Sequence, residues 1–254
     1  MNHSNRLDFL TFLRSTGIIL LIVIGLLFYP VNTAIANTST DYQQKSSASS
    51  DGIGKVYMGR EISQVMGHQG AMWLERPTRE TQEQPSKIVQ ALDLKDTDVV
   101  ADIGAGTGYM SFRIAPKVSD GKVFAVDIQP EMLDIIDFYK KKTKINNVEP
   151  VLATVTNPNL APESVDLALM VDAYHEFEYP KEVMEGVVKS LKPGGKAVLV
   201  EYRGENPFIA IKRLHKMTQK QVKKEMKAVG LTWKETKELL PQQHLMIFEK
   251  EVSV

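Results

Sequence analysis

The stretch Val99–Ala115, VVADIGAGTGYMSFRIA, constrains the fold of this chain more than any other. It begins with small and β-branched residues typical of a buried strand, and it ends with apolar residues at helical spacing. Between them lie Gly104, Gly106 and Gly108, which let the backbone turn tightly and approach a ligand closely. A glycine loop between a strand and a helix predicts a ligand site beyond the carboxyl end of that strand.

Strand-like and helix-like segments alternate after residue 98. Runs of β-branched residues separated by amphipathic helices predict a mainly parallel sheet with helices on both faces. The predicted strands are Val99–Ile103, Val123–Asp127, Val151–Thr154, Val165–Val171 and Ala197–Tyr202, and the predicted helices are Tyr109–Val118, Pro130–Lys142 and Lys181–Leu191. A capping box at Thr218 and Gln221 begins a further helix. Two final strands, near Leu231–Leu240 and Leu245–Lys250, have a connection short enough for antiparallel pairing.

The composition is that of an ordinary globular chain. The 254 residues include 31 basic and 31 acidic side chains, and no basic block stands out, which argues against a nucleic acid partner. The chain has no cysteine, so disulfides, thiolate metal sites and a cysteine nucleophile are excluded. His215 and His244 are isolated in the sequence and no histidine pair has ligand spacing, so we expect no metal site.

Residues 1–36 have the features of a secretory signal peptide. Two arginines precede the apolar run Gly17–Tyr29, a proline ends it, and Ala34 and Ala36 form a cleavage pattern. An uncleaved anchor is the alternative, because the extended run nearly reaches membrane-spanning length. In either case we expect the working domain to be exported across the cytoplasmic membrane, with membrane contact only through this segment if it stays uncleaved.

Two segments separate this signal from the main domain. Residues 37–54 are rich in serine and threonine and lack apolar periodicity, which predicts a flexible linker. Residues 55–93 predict a helical preface, because the apolar residues within Ile62–Met66 fall at helical spacing. The preface is either a lid over the ligand or an amphipathic helix packed on the sheet, with Trp73 as a core anchor. Residues 94–254 form the main domain.

A second motif agrees with the glycine loop. Asp127 ends the second predicted strand, about 20 residues or slightly more after the glycines, where a carboxylate can accept both hydroxyls of a ribose. A carboxylate that only caps the next helix is the alternative. The dinucleotide fingerprint requires a small residue where this chain has Tyr109, which disfavours NAD. A nicotinamide-dependent oxidoreductase is therefore a weaker alternative.

Four motifs follow one another between about Lys95 and Lys250: VVADIGAGTGYMS, VFAVDIQPEML, VDLALMVDAYHEF and LKPGGKAVLVEYR. In this order they resemble the class I S-adenosylmethionine-dependent methyltransferases. Together with MGREISQVMGHQGAMWLERP and QQHLMIFEK, they resemble a bacterial subgroup that carries export signals. The resemblance implies an α/β fold with a Rossmann-like, doubly wound sheet of about seven strands, mostly parallel with an antiparallel last strand. It also implies S-adenosyl-L-methionine as the cofactor.

The resemblance further implies which residues bind the cofactor. It places Asp102 near the methionine amino group and Asp127 on the ribose. The expected cofactor-binding residues are Asp102, Gly104, Ala105, Gly106, Gly108, Asp127, Ile128 and Asp172. The family often has an acidic residue after the third strand that bonds the adenine amine, whereas this chain has LATVTNPNL. Asn157 or a backbone carbonyl would make that contact instead.

The segment Asp172–Phe177, DAYHEF, follows the fourth predicted strand and so lies at the same rim as the glycine loop. Tyr174, His175 and Glu176 are the candidate catalytic residues, with His175 as a general base because imidazole titrates near neutrality. A buried structural histidine is the alternative. We predict methyl transfer from S-adenosylmethionine to an unidentified small molecule. An exported S-adenosylmethionine-binding module without turnover is the alternative, because that cofactor is made in the cytoplasm.

Overall fold

The structure is a computed structural model that describes residues 41–252. The predicted signal peptide, residues 1–36, and residues 37–40 of the predicted linker lie outside the described residues. Residue 41 onward belongs to one compact unit. Among the described residues, no helix combines the length and the apolar character needed to cross a membrane.

A small antiparallel sheet occupies residues 42–63, where the sequence predicts a flexible linker and the start of a helix. Its strands, in order, are β1 (Tyr42–Gln44), β2 (Gly52–Tyr57) and β3 (Arg60–Ser63). The linker prediction is wrong from residue 42 onward because polar side chains here find partners farther along the chain. The Glu61 carboxylate accepts hydrogen bonds from the Ser49 backbone N–H at 2.8 Å and the Ser49 hydroxyl at 2.6 Å. Because these contacts are made by polar side chains, the strands that they stabilise have no apolar periodicity that the sequence could show.

The helical spacing of Ile62–Met66 is also misleading. Strands β2 and β3 are joined at Met58 and Gly59, whose φ angles are +48° and +93°. Two successive residues with positive φ are typical of a tight hairpin turn. The apolar residues in this stretch are too few to distinguish a helix from a strand. Helical structure begins only afterwards, with a 3-10 turn at His68–Gly70, α1 (Ala71–Leu74), α2 (Arg79–Gln82) and α3 (Pro85–Ala91).

A seven-stranded sheet forms the centre of the described chain. Its strands are β4 (Val99–Ile103), β5 (Lys122–Asp127), β6 (Val148–Leu152), β7 (Val165–Val171), β8 (Leu191–Tyr202), β9 (Leu231–Lys237) and β10 (Gln243–Lys250). The spatial order is β6-β5-β4-β7-β8-β10-β9. The first five strands in this order, from β6 to β8, run parallel to one another. The last strand, β10, pairs antiparallel with both β8 and β9. This confirms the predicted doubly wound sheet with an antiparallel last strand.

Helices cover both faces of this sheet. They are α4 (Ser111–Ile114), α5 (Pro130–Thr143), α6 (Pro180–Ser190) and α7 (Gln219–Ala228). Alternate residues of β4 face opposite sides, as in any strand: Val100 packs in one apolar cluster with Ile114, and Ala101 packs in the other with Met184. The hydroxyl of Thr218 accepts a hydrogen bond from the Gln221 N–H and caps α7.

The small N-terminal sheet is fastened to the main sheet by a buried ion pair. The Arg60 guanidinium donates to both carboxylate oxygens of Glu225 on α7, at 2.9 and 3.0 Å, and to the backbone carbonyl of His175 at 3.1 Å. The Tyr174 hydroxyl donates to the same Glu225 carboxylate at 2.6 Å. The Glu225 side chain is fully buried, so its charge depends on these partners.

Replacing Arg60 with methionine should lower the free energy of unfolding by about 3–5 kcal/mol, because it leaves the Glu225 carboxylate buried without a cation. Urea denaturation measures this loss. The matched control is Lys122→Met, which removes a half-exposed partner of Glu149 and should cost under about 1 kcal/mol. Equal losses in the two variants would contradict the role assigned to the buried pair.

Candidate functional site

A cavity of about 660 Å³ lies at the carboxyl ends of β4, β5 and β7. Open α/β sheets bind their ligands at this edge. The residues predicted from the sequence that line it are Gly104, Gly106, Asp127, Ile128, Asp172, His175 and Glu176. Four other predicted residues lie behind this lining: Asp102, Ala105, Gly108 and Tyr174.

The three glycines of the loop differ in their function. Gly104, Gly106 and Gly108 have φ angles of +76°, +56° and +79°, so all three adopt a backbone conformation that favours glycine. A Cβ on Gly104 would lie 2.6 Å from the Cβ of Ala173. A Cβ on Gly108 would lie 2.9 Å from the ring of Phe112. Gly108 therefore allows close packing beneath the loop. The sequence predicts that Gly108 binds the cofactor, but this residue is not part of the cavity lining.

Asp127 joins the end of β5 to the glycine loop. Its carboxylate accepts the Gly106 N–H at 2.8 Å and the Gln129 N–H at 2.9 Å. Burial raises the pKa of Asp127, although these backbone N–H groups act in the opposite direction. The second contact is to the N–H of Gln129, the residue before α5, so it does not cap an N–H of the first helical turn. Because the same carboxylate lines the cavity, its remaining lone pairs are available to ribose hydroxyls.

Asp102 is buried behind the cavity lining, whereas the sequence predicts that it lies near the methionine amino group of the cofactor. Its carboxylate accepts a hydrogen bond from the Ser111 hydroxyl at 2.7 Å, and the residue is buried behind the loop. Burial raises the pKa of Asp102 from 3.8 to about 6, even though the bonds from Ser111 lower it. Direct contact with a ligand amino group is not available from this position, so Asp102 can act on the cavity only through its charge.

Asp172 presents an unpaired carboxylate oxygen. One oxygen accepts a hydrogen bond from the Gln243 side-chain amide at 2.6 Å, and the other is buried without a hydrogen-bond partner. Burial raises the pKa of Asp172 well above its usual range, and the nearby carboxylates of Glu83 and Glu201 raise it further. Asp172 is a residue of the cavity lining, and its unpaired oxygen lies buried beneath the cavity surface.

Sequence reasoning misses a cluster of charged residues beside Asp172. Glu83 accepts from the Arg79 guanidinium at 2.8 Å and from the Tyr202 hydroxyl at 2.6 Å, and it also pairs with Arg76. All four of these residues line the cavity. The spacing of Arg79 and Glu83, four residues apart, is the sequence signal that could have indicated this pair.

His175 is held by a carboxylate from the neighbouring strand. Its Nδ1 lies 2.6 Å from the Glu201 carboxylate, which also accepts the His175 backbone N–H at 3.3 Å. Burial lowers the pKa of His175, but the carboxylates of Glu201 and Glu176 together raise it more, so the net direction is upward. Because Nδ1 is engaged with Glu201, Nε2 is the ring nitrogen available for chemistry.

His215 is not isolated in the fold, in contrast to its position in the sequence. Its Nδ1 lies 3.2 Å from Nε2 of His175 and 3.4 Å from a carboxylate oxygen of Glu176. The other Glu176 oxygen accepts the Met66 N–H at 3.1 Å. The premise for expecting no metal site was therefore wrong for His215, because the connection after β8 brings it back over His175. Separation by 40 residues gives no local signal.

Tyr174 does not form a cavity wall, although the sequence predicts it as a candidate catalytic residue. The residues Tyr174–Glu176 form a 3-10 turn, which directs successive side chains to different sides. The Tyr174 ring packs edge-on against Phe177 in the core, and its hydroxyl donates to Glu225. Tyr174 therefore supports the structure next to His175.

The end of β3 and the segment after it form part of the cavity wall. Residues 63–66, Trp73 and Leu74 all contribute to its lining, and Trp73 is 52% exposed, which favours the lid over the core anchor. On the opposite side Ile128, Val155 and Pro158 provide apolar walls. Asn157 is absent from this lining, so the predicted adenine contact through its side chain has no support.

Substituting Gly104 by alanine should destabilise the fold more than the same change at Gly230. Both glycines have positive φ, which costs alanine about 1–2 kcal/mol, but a Cβ on Gly230 meets open space. The clash with Ala173 should add about 1–3 kcal/mol to the loss at Gly104. Urea midpoints of the two variants measure this difference. Equal losses would contradict the close approach of the glycine loop to residue 173.

Asp102→Asn should remove a dependence of stability on pH. Because the folded-state pKa of about 6 lies above the ordinary 3.8, the folded protein holds its proton more tightly and loses stability as the pH rises through this interval. The stability of the variant relative to the native protein should therefore increase by up to about 3 kcal/mol between pH 4 and pH 7. Urea denaturation at several pH values tests this. A difference that is constant with pH would refute the assignment.

Comparison with known proteins identifies the family of this chain. A family model described as a methyltransferase domain matches residues 94–250, more than half of the chain. The chain is 32% identical over 120 residues to the tRNA U34 carboxymethyltransferase of Desulfotalea psychrophila and 29% identical over 112 residues to the arsenite methyltransferase of Halobacterium salinarum. These alignments cover 46% and 44% of this chain but only 36% and 29% of the relatives, so the chain spans about a third of their length.

A solved structure shows the same fold. A SAM-dependent methyltransferase from Aquifex aeolicus superposes with a TM-score of 0.69 at 21% identity, covering 73% of this chain and 99% of that one. The strand order and the antiparallel last strand agree with the predicted class I methyltransferase fold. The sequence predictions of family and fold class are therefore confirmed. The chain belongs to the methyltransferase-domain family of S-adenosylmethionine-dependent class I methyltransferases.

Proposed function

We propose that this protein transfers the methyl group of S-adenosylmethionine to a small-molecule acceptor. One observation carries the proposal: the cofactor-side residues and a pair of histidines line the same cavity. Gly104, Gly106 and Asp127 line it together with His175 and His215. Methyl transfer requires the acceptor atom to lie in line with the sulfonium and the methyl carbon, so a shared cavity supplies the positioning that the reaction needs.

The cofactor assignment is supported by charge as well as by shape. Asp127 and Asp172 line the cavity, and their carboxyl groups are hydrogen-bond acceptors for the polar groups of a ligand. S-adenosylmethionine carries a sulfonium and an ammonium group. We assign the ammonium to Asp172, a residue of the cavity lining, in place of the more deeply buried Asp102. The ribose hydroxyls are assigned to Asp127.

The small-molecule acceptor is supported by enclosure and by charge. The cavity volume of about 660 Å³ lies within the range of about 300–1,000 Å³ that is typical of ligand pockets, and residues 63–66 with Trp73 form part of its wall. The net charge of +0 offers no general attraction to nucleic acid. The relatives differ here, since one is named for tRNA and another for arsenite. Family membership favours a methyltransferase over the nicotinamide-dependent oxidoreductase.

Export of the protein stays a prediction. It is supported by the apolar run Gly17–Tyr29 and the alanine pattern before residue 37, which lie outside the described residues. The alternative of a cofactor-binding module without turnover also stays open to the experiment below, because binding and transfer are measured separately.

The function is tested by incubating the full chain with S-adenosylmethionine carrying a deuterated methyl group and, separately, the small-molecule and macromolecular fractions of a cell extract. Mass spectrometry should find the deuterated methyl in the small-molecule fraction. Label found only in the macromolecular fraction would refute the acceptor class. Cofactor binding without any label in either fraction would favour the binding module.

Asp127→Ala should weaken binding of S-adenosylmethionine and S-adenosylhomocysteine by about 1–3 kcal/mol, because it removes hydrogen bonds to the ribose and to the loop at Gly106. Calorimetric titration of the full chain measures both ligands. Asp134→Ala is the control, since this carboxylate is exposed on α5 and outside the cavity lining. Unchanged affinity in Asp127→Ala would remove the ribose assignment.

A further inference from the structure

The acceptor side of the cavity, by which we mean His175, Glu176 and His215, has the chemistry of a metal site. Nε2 of His175, Nδ1 of His215 and a carboxylate oxygen of Glu176 all lie within 4.8 Å of one another. We propose that these three residues bind a divalent transition metal ion, with zinc as the ion that fits best. The proposal deepens the proposed function, because it states how the acceptor is held and activated.

The distances agree with tetrahedral coordination. Ligand atoms bound to one zinc ion at about 2.0–2.1 Å lie about 3.3–3.4 Å apart in a tetrahedron. The two histidine nitrogens are 3.2 Å apart, Glu176 lies 3.4 Å from His215, and Glu176 lies 3.9 Å from His175. Shifts of a few tenths of an ångström would bring all three atoms onto one ion.

The surrounding hydrogen bonds orient these atoms toward a common point. The Glu201 carboxylate, 2.6 Å from Nδ1 of His175, favours the tautomer whose Nε2 carries the lone pair. The Met66 N–H occupies one oxygen of Glu176 and leaves the other facing the histidines. Histidine ligands in metal sites are commonly held by a carboxylate in this way.

Two histidines and one glutamate leave the fourth position of a tetrahedral zinc ion open, as in catalytic zinc sites. All three residues line the cavity, so the open position faces the space shared with the cofactor. Oxygen-only sites suit magnesium better than this nitrogen-rich set. The matching acceptor is therefore a hydroxyl or thiol compound that binds the ion directly.

This arrangement assigns His175 the role of a ligand instead of a general base. A hydroxyl or thiol bound to the ion loses its proton to water more readily, because the positive charge of the ion stabilises the resulting anion. The anion then forms a bond to the methyl carbon of S-adenosylmethionine. The carbon–sulfur bond breaks, its electron pair returns to sulfur, and S-adenosylhomocysteine leaves as a neutral thioether.

The test is a zinc titration of the chelator-treated full chain, in competition with a coloured zinc indicator. We expect one zinc ion per chain and at least about tenfold weaker binding in His175→Ala, in His215→Ala and in Glu176→Gln. His68→Ala is the matched control, because this histidine is half-exposed and lies outside the cluster. Cobalt(II) in place of zinc should give the intense visible absorption of a tetrahedral ion, which is lost in His215→Ala.

Binding of S-adenosylmethionine is measured on the same variants. Retained cofactor affinity in His215→Ala and Glu176→Gln shows that they are folded, so weaker zinc binding then reports the site itself. Equal zinc affinity in the native protein and in all three variants would overturn the metal proposal, as would a failure of the folded native protein to bind zinc. Zinc binding without any cofactor binding would overturn the proposed function and leave the metal site in place.

Discussion

The hydrogen bond from the Gly106 N–H to the Asp127 carboxylate joins the two strand ends on which the cavity depends. Strands β4 and β5 are neighbours in the sheet; the glycine loop follows β4 directly, and Asp127 is the last residue of β5. The Gly104 and Ala105 N–H groups hold the base of the same loop, because both donate to the Val126 carbonyl, at 2.8 and 3.0 Å. The same carboxylate accepts the N–H of Gln129, the residue before α5. One side chain in the cavity lining therefore contacts both the glycine loop and the residue that precedes the helix.

Buried carboxyl groups lie in the cavity wall, at Asp127 and Asp172, and directly behind it, at Asp102. Burial raises the pKa values of Asp102, Asp127 and Asp172, which means that their charged forms are disfavoured in the folded protein. A cationic ligand relieves this cost because it supplies the missing positive charge. For the two carboxyl groups in the cavity wall, Asp127 and Asp172, this cost favours a cationic ligand over an uncharged ligand of the same shape.

The sequence predicts the sheet well and the acceptor side poorly, for a physical reason. Strands such as Val99–Ile103 and Val165–Val171 are recognisable because they are largely buried on both faces, so that each is apolar except for one aspartate. The cofactor side is predictable because its residues lie directly after such strands. His215 gives no such signal, since its position depends on the path of the chain between β8 and α7. Tyr174 was misplaced because neighbouring residues of a 3-10 turn face different directions.

The N-terminal sheet is part of the acceptor side and not an independent addition to the domain. Arg60 and the Ser63 hydroxyl both donate to the backbone carbonyl of His175, and the Met66 N–H donates to Glu176. These contacts fix the turn that carries both residues, while Ser63 and Met66 also contribute to the cavity lining. The segment that lines the cavity therefore also positions His175 and Glu176. The site is therefore incomplete in the main sheet alone.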